Sequence, residues 1–304
     1  MSVSSEQDAP RTPAAPDPAF RDTVTFAFGD PVAQLYGHAR IGLAADGASG
    51  LALLFAGSEV ATASTEGGVA LADDAPPSWE SVRVAGLRSG VEEPLGAWTL
   101  SYESDGAGFD LRFEARSAPA VLDADADVAR AGGMEGYEQL CSVSGTVSHG
   151  GRAHQVRCLG QRGHAWGAPD WKRIELARTL SAWMGADRAV MLTAARPARA
   201  RGHGEEAVAG WLVDGGEPLL IPEPRLSTTY DGALRQKRAG LELWMDEEDG
   251  YARRAAGQVL CGTTVDFGRL RLESAFFGWR MEGREGVGRY DVVRRIDGGS
   301  SRKR

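Results

Sequence analysis

The amino-acid sequence predicts an all-β protein of antiparallel strands. Apolar and polar residues alternate with period two in many short segments, and glycine-containing turns separate these segments. Long amphipathic helices are scarce. Glycine accounts for 40 of the 304 residues, which suits a chain with many tight turns. The length fits two domains of about 150 residues each or one large β unit.

The predicted strands follow one another as hairpins along the chain. Two-residue Asp-Gly turns support the clearest pairs, because glycine readily adopts the positive φ that such turns need. Residues 171–184 fit a helix and a strand equally well, since their apolar residues have mixed spacing. Three predicted pairs flank a turn: 35–43 and 51–61 around Asp46-Gly47, 98–102 and 109–113 around Asp105-Gly106, and 211–213 and 219–221 around 214–216. Further strands are predicted at 24–28, 241–245 and 270–277.

Both ends of the chain and one internal point break the strand pattern. Residues 1–19 are rich in Pro, Ala, Ser and Asp and residues 298–304 are polar, so we expect both segments to be disordered. Gly167 and Pro169 interrupt the alternation near residue 170. The sequence therefore predicts one β-barrel domain over 20–170 and a second over 171–297.

Charge and composition exclude several classes of protein. The net charge of −8 disfavours binding to nucleic acid or to anionic lipid. The longest apolar run, 51–56, is far too short to span a bilayer. The three cysteines lack metal-ligand or disulfide spacing, and the N-terminus lacks the apolar core of a signal peptide. We therefore expect a cytoplasmic protein with no metal and no other cofactor, and the oligomeric state stays open.

The most informative segment is 136–171, which contains a turn at Gly150-Gly151. Glycine pairs suit two-residue hairpin turns, and such a turn fixes the register of the two strands that flank it. The resulting cross-strand pairs include Val147 with His154, Gln139 with Arg162, and Tyr137 with His164.

Directly opposed residues share one face of a sheet, so this register sorts the side chains into two sets. One face is apolar near the turn and becomes polar and aromatic at its far end, with Tyr137, Gln139, Arg162, His164 and Trp166. The opposite face carries Ser142, Ser144, Thr146, Ser148, Gln155, Arg157, Gln161 and Glu138, and we interpret it as the solvent side. Because polar groups are costly to bury without partners, the first set predicts either a hydrogen-bonded core network or a functional site.

The same segment carries a resemblance to a known family. Residues 160–171, GQRGHAWGAPDW, resemble the Gly-x-Arg-Asp-His-x-Trp-Gly-x-Arg-Asp-Trp signature of the carotenoid 1,2-hydratase / AttH-like, lipocalin-related superfamily. Residues 137–139 and 276–290 are similar to segments of its bacterial members. The resemblance implies two lipocalin-like β-barrels packed together, with a ligand pocket in or between them. It also implies hydratase or cyclase activity, Diels–Alder catalysis included, on a hydrophobic small molecule.

Two positions depart from this signature. Gly163 stands where the motif has an acid, and Pro169 stands where it has a second arginine. The tyrosine and the acid that the hydratases carry one strand further on are absent from 188–196. These departures favour a binding protein, whereas the Arg-x-His-x-Trp run favours an enzyme.

The predicted chemistry is acid/base catalysis on an isoprenoid- or polyketide-like substrate. His164 is the candidate proton carrier, because imidazole ordinarily titrates near neutral pH. Tyr137 would fix its tautomer or relay the proton, and Arg162 would orient a carbonyl or carboxylate of the ligand. Trp166 would stabilise a developing cation with its ring. Gln139, Asp170 and Trp171 complete the candidate substrate-binding set, the last two from their place in the motif.

Simpler alternatives stay open for each of these residues. Arg162 has a structural role if it pairs with a carboxylate such as Asp170 or Glu138, and Trp166 and Trp171 are core residues if they only pack. In that case the protein is a non-catalytic binder or carrier of a hydrophobic molecule. A purely structural or interaction module is the least favoured alternative, because the polar set points inward.

Overall fold

A computed structural model describes residues 3–13, 15–71, 78–245 and 250–296. About two-thirds of this part of the chain is strand, arranged in two antiparallel sheets. The first sheet contains β1 (Arg21–Asp30), β2 (Leu35–Ala44), β3 (Gly47–Ala56), β4 (Glu59–Val69), β5 (Leu87–Glu93), β6 (Ala97–Ser104), β7 (Ala107–Ala115), β8 (Ala120–Leu122), β9 (Met134–His149) and β10 (Arg152–Gly167). The second contains β11 (Ile174–Gly185), β12 (Arg188–Pro197), β13 (Ala207–Asp214), β14 (Glu217–Leu220), β15 (Glu223–Tyr230), β16 (Gln236–Trp244), β17 (Arg253–Phe267), β18 (Leu270–Met281) and β19 (Arg284–Arg295). A helix, α1 (Asp127–Gly132), and short 3₁₀ turns at Ser5–Asp8 and His203–Glu205 complete the regular structure.

The two sheets repeat one topology, in which the first strand of the sheet pairs with the last. The first sheet runs β4-β3-β2-β1-β10-β9-β7-β6-β5, with β8 beside β9, and the second runs β14-β13-β12-β11-β19-β18-β17-β16-β15. The first sheet curls, so that the Tyr102 hydroxyl on β6 lies 2.6 Å from the Ser64 hydroxyl on β4. The predicted all-β, lipocalin-like fold of two antiparallel units is therefore confirmed. Over the described ranges, no helix is long and apolar enough to cross a membrane.

The predicted hairpins form at the predicted turns. β9 and β10 pair across Gly150-Gly151, so that Tyr137 lies opposite His164 and Gln139 lies opposite Arg162. The turns at 105–106 and 215–216 likewise connect paired strands. β2 and β3 pair across residues 45–46, one position before the predicted turn at Asp46-Gly47. Residues 174–185, which fit either a helix or a strand by pattern, form β11. Pairing with β12 and β19 on its two sides provides the backbone hydrogen bonds of that strand.

Three apolar clusters account for the packing. One fills the concave side of the first sheet and includes Phe26, Trp98 and Phe113. A second fills the corresponding side of the second sheet, around Phe277 and Trp279. A third lies between the sheets and joins Tyr36, Leu53 and Phe55 to Trp183, Met191, Trp211 and Phe276. Strands of both sheets are therefore covered on two faces, which the alternation pattern alone does not reveal.

The segment before β1 contacts the first sheet, whereas its composition predicts a disordered tail. Asp8 is buried against the first sheet, and its backbone carbonyl accepts a hydrogen bond of 3.1 Å from the Trp79 indole. Composition predicts disorder because this segment has few apolar residues, but here a buried carboxylate holds it in place. The predicted boundary at residue 170 falls between β10 and β11. The predicted C-terminal tail, 298–304, lies outside the described residues.

Candidate functional site

The polar residues predicted from β9 and β10 do meet on the concave side of the first sheet, around Arg162. The Arg162 guanidinium donates hydrogen bonds of 2.5 Å to Asp8 and of 2.5 Å to the Gln139 side-chain oxygen. The Tyr137 hydroxyl donates to the same Asp8 oxygen, also at 2.5 Å. Gln139 in turn donates to the backbone carbonyls of Leu95 and Ser117. We refer to Asp8, Asp22, Tyr137, Gln139, Arg162 and His164 as the Arg162 cluster.

His164 is the most enclosed member of the Arg162 cluster. Its side chain is 0% exposed, and Nε2 lies 2.7 Å from an Asp22 carboxylate oxygen. The rings of Trp79, Tyr137 and Trp166 surround it, with centroids 5.0–5.8 Å from the imidazole. The packed rings shield the imidazole from solvent, and both His164 and Tyr137 also border a cleft between the two sheets.

The N-terminal segment seals the Arg162 cluster. The backbone N–H of Arg11 donates a 2.6 Å hydrogen bond to Asp22, and the Arg11 guanidinium lies over the Trp166 ring. Burial alone would raise the pKa of Asp8, but the charge of Arg162 and the hydrogen bond from Tyr137 hold it below its usual value. The cluster is thus a charged, hydrogen-bonded network inside the sheet, and this arrangement fits the core-network alternative for these residues.

The other two predicted site residues lie apart from this cluster. Asp170 is exposed and caps the turn before β11, where its carboxylate accepts from the backbone N–H of Lys172 at 2.9 Å. Trp171 is half-buried and lines a cleft between the two sheets. The partner of Arg162 is therefore Asp8 and neither Asp170 nor Glu138.

This inter-sheet cleft has a volume of about 790 Å³, within the range typical of small-molecule sites. Its floor is the outer face of the first sheet, where one row of cross-strand neighbours runs Arg40, Thr25, Gly163 and Glu138 over β2, β1, β10 and β9. Its other walls come mainly from the second sheet and are largely apolar. They include Trp171, Ile174, Leu192, Trp211, Leu272 and Val293, together with Thr179, Thr193, Arg289 and Asp291.

A ring of hydrogen bonds joins the two sheets beside the cleft. The Arg289 guanidinium lies 2.8 Å from His38 Nε2 and 3.1 Å from an Asp291 oxygen. The His38 Nδ1 atom lies 3.1 Å from the Ser274 hydroxyl, which donates to Asp291 at 2.7 Å. Because a guanidinium only donates, His38 must accept at Nε2 and carry its proton on Nδ1. Burial, opposed by Asp291 and reinforced by Arg289, lowers the pKa of His38 to about 3, so the imidazole is neutral.

Glu138 is one of three glutamates that line the cleft, with Glu66 and Glu135, and its carboxyl lies beside this ring of hydrogen bonds. One carboxylate oxygen accepts a hydrogen bond from the Gln161 side chain, and the other lies 3.8 Å from the Arg289 guanidinium. The side chain remains 26% exposed, and it lines the cleft. Burial raises the pKa of Glu138 to about 7, against the opposing charge of Arg289. A carboxyl with these properties exchanges protons at neutral pH.

Strand alternation predicts Glu138 and Gln161 on the solvent side, and the structure corrects this. Gln161 is 2% exposed, because the far end of that face lies against the second sheet. Alternation identifies the two faces of a strand but not what covers each of them. One feature of the sequence could have indicated Glu138 as a site residue. Gly163, which replaces the acid of the motif, lies directly opposite Glu138. The carboxyl is therefore present in the same row, one strand away.

The chain matches one protein family over nearly its whole length. The family described as Domain of unknown function (DUF7064) matches residues 4–296. No curated protein matches the chain. Among the described residues, no group of three or more His, Cys, Asp and Glu side chains is arranged to hold a metal ion.

Several solved structures share the fold over nearly the whole chain. CghA with Sch210972 has a TM-score of 0.62 at 12% identity, covering 93% of this chain and 90% of that one. An AttH-like protein from Nitrosomonas europaea has a TM-score of 0.63 at 13% identity, with coverages of 90% and 91%. Kievitone hydratase from Nectria haematococca has a TM-score of 0.56 at 11% identity, with coverages of 91% and 89%. At these identities the likeness establishes the fold, in agreement with the resemblance of residues 160–171.

Proposed function

The chain belongs to the DUF7064 family, and we propose that it is an enzyme that performs acid/base chemistry on an apolar small molecule in the inter-sheet cleft. Glu138 is the proton carrier in this proposal, in place of His164. Hydration or cyclisation of an isoprenoid- or polyketide-like molecule is the class of reaction. Two of the proteins that share the fold support it by name, one as a hydratase and one as a complex with a small molecule.

The observation that carries the proposal is the position of Glu138. It is a partly exposed carboxyl on the floor of a largely apolar cleft, with a pKa raised by burial to about 7. At neutral pH both protonation states of such a group are populated, so it can donate a proton and take one back. His164 is less suited to this role, because its side chain is 0% exposed, enclosed by three aromatic rings and bonded to Asp22, although the residue borders the cleft.

The surrounding groups suit a reaction that begins with proton transfer. Protonated Glu138 delivers its proton to a double bond or carbonyl, and water or a second part of the substrate then adds to the electron-poor carbon. The aromatic ring of Trp211 on the cleft wall can stabilise positive charge at that carbon, an effect worth about 0.5–2 kcal/mol. The Arg289 guanidinium stabilises the carboxylate that remains.

A non-catalytic carrier of a hydrophobic molecule is the second candidate function. The observation that favours it is Gly163, which leaves the motif position without a carboxyl on the cleft floor. A carrier needs only the apolar walls of the cleft and its volume. The two functions differ in whether Glu138 does chemistry.

Isotope incorporation tests the proposal with a small panel of apolar compounds. Farnesol, farnesoic acid and chalcone are each incubated with the protein in deuterium oxide and examined by mass spectrometry for deuterium or for added water. We expect at least one of them to react, and Glu138→Gln to lower its rate by about 100-fold or more, as expected for loss of a general acid. Tryptophan fluorescence should show that the variant still binds the reacting compound.

Glu273→Gln is the matched control, because Glu273 is also buried with a raised pKa but does not line the cleft. It should leave the rate unchanged. Binding of the compounds with no reaction by the wild type supports the carrier. Turnover that is insensitive to Glu138→Gln would contradict the assignment of Glu138.

A further inference from the structure

Arg40 differs from the buried arginines of the described structure. Arg162, Arg178 and Arg289 are buried, and each forms an ion pair, with Asp8, Glu206 and Asp291 respectively. The fold therefore neutralises its buried guanidinium groups, as the cost of an unpaired buried charge requires. Arg40 lines the inter-sheet cleft with an accessible side chain, and among the described residues no carboxylate oxygen lies within 4.0 Å of its guanidinium.

The polar contacts of Arg40 do not replace a carboxylate partner. Its single hydrogen bond within the described chain is a long one, 3.4 Å, to the Thr23 hydroxyl. The surrounding protein lowers the pKa of Arg40 by desolvation and the charge of Arg289 lowers it further, while Asp291 opposes both. A guanidinium with five donors and one long hydrogen bond retains most of its capacity to bind an anion.

The position of Arg40 in the cleft defines where such an anion would lie. Arg40 stands at one end of the row that ends at Glu138, with Thr25 and Gly163 between them. The row spans three strand spacings, or about 14 Å between the end residues. Thr23, Thr25 and Ser49 also line this part of the cleft and offer hydroxyl donors. Apolar walls, including Leu51 and Trp211, adjoin it.

We propose that Arg40 is the anchor for a carboxylate on an otherwise apolar ligand, which it binds at the opposite end of the cleft floor from Glu138. This inference rests on the proposed function and narrows its substrate class to apolar carboxylic acids. The planar guanidinium matches a carboxylate in a two-hydrogen-bond arrangement, which also fixes the orientation of the ligand. The apolar part of the molecule then lies along the row toward Glu138.

Binding of cis-parinaric acid and of its methyl ester tests the proposal directly. The two fluorescent probes share one apolar chain and differ in the charge of the head group. We expect the wild type to bind the acid about tenfold more tightly than the ester, as a charge-assisted contact provides. Arg40→Gln should remove this preference by weakening the acid alone, and Arg40→Lys should keep part of it because the charge remains.

Arg238→Gln serves as the matched control, because Arg238 is exposed on β16 and does not line the cleft. It should retain the full preference for the acid. Equal affinities for acid and ester in the wild type, or an undiminished preference in Arg40→Gln, would overturn the assignment of Arg40 while leaving the cleft as an apolar site. If neither probe binds, both this inference and the proposed function fail. A failure of the Glu138 assignment alone appears in the isotope assay and leaves the preference for the acid intact.

Discussion

On one face of β9 and β10, Arg162 and His164 are enclosed by Asp8, Asp22 and aromatic rings. On the opposite face of the same two strands, Glu138 faces an open cleft of about 790 Å³. Both faces carry charged side chains whose burial costs free energy. They differ in access to the cleft. The Arg162 cluster is closed by the N-terminal segment, although His164 Nδ1 has no hydrogen-bond partner among the described residues. Glu138 accepts a hydrogen bond from Gln161 and still stays accessible.

This difference separates two roles that residue types alone do not distinguish. A buried ion pair with further hydrogen bonds fixes one arrangement of the chain, and removal of one partner is costly. A partly exposed carboxyl with a raised pKa is less constrained and suits proton transfer. The comparison therefore predicts that variants on the first face lower stability, and that variants on the second face lower activity.

The largest expected effect is on stability, from Asp8→Ala. The substitution leaves the Arg162 guanidinium buried without its carboxylate and releases the N-terminal segment from Leu95 and Trp98. We expect the free energy of unfolding to fall by about 3–5 kcal/mol, measured by chemical denaturation.

Arg112→Ala provides the reference for this measurement, because Arg112 forms ion pairs with Glu92 and Glu114 at the surface of the same sheet. Exposed pairs contribute about 1 kcal/mol or less. A loss from Asp8→Ala no larger than that from Arg112→Ala would show that the Arg162 cluster does not hold the first sheet and the N-terminal segment together.

An intermediate effect is expected when the carboxyl is moved along the cleft floor. A Cβ atom at Gly163 would lie 3.3 Å from Glu138 Cγ, so the Glu138→Ala change creates room for a side chain there. The double variant Glu138→Ala/Gly163→Asp should recover about tenfold in turnover over Glu138→Ala alone, since a carboxyl near the same place restores part of the acid catalysis. Rates on the compound that reacts in the isotope assay provide the measurement.

The double variant Glu138→Ala/Gly163→Ala controls for the altered backbone and volume at this position. It should recover nothing, because it supplies no proton donor. Equal recovery by the alanine and aspartate variants would indicate that packing, and not a carboxyl, determines turnover.

The smallest expected effect is a shift in pH dependence from Gln161→Leu. The hydrogen bond from Gln161 stabilises the charged form of Glu138 and so lowers its pKa. Loss of this hydrogen bond should raise that pKa above its value of about 7. If protonated Glu138 is the active form, turnover falls as pH rises through the pKa, and the variant should move this fall upward by roughly half to one pH unit. A downward shift or no shift would show that Gln161 does not control the protonation of Glu138.

The fold was largely predictable because its signals are local. The turn at Gly150-Gly151 fixed the pairing of Tyr137 with His164 correctly, although those residues lie far from the turn along the strands. The hairpin signals elsewhere were equally short in range. Strand alternation then separated the two faces of β9 and β10 without error in register.

The site was less predictable because it depends on contacts between distant parts of the chain. Asp8 reaches Arg162 from a proline-rich segment whose composition predicts disorder. His38 meets Arg289 only because the second sheet covers the outer face of the first. No local pattern reports which face another sheet will cover, and for this reason alternation alone predicts Glu138 on the solvent side.

The position of a bound ligand shows whether the ligand site is the inter-sheet cleft or the Arg162 cluster. An apolar aryl diazirine labels side chains near the place where it binds, and farnesol competes for the same place. Peptide mass mapping then identifies the side chains that line the ligand site. We expect competed labels on cleft residues such as Leu192 and Trp211. Competed labels on Trp79 or Trp98, beside the Arg162 cluster, would contradict the cleft assignment and return the site to the concave face of the first sheet.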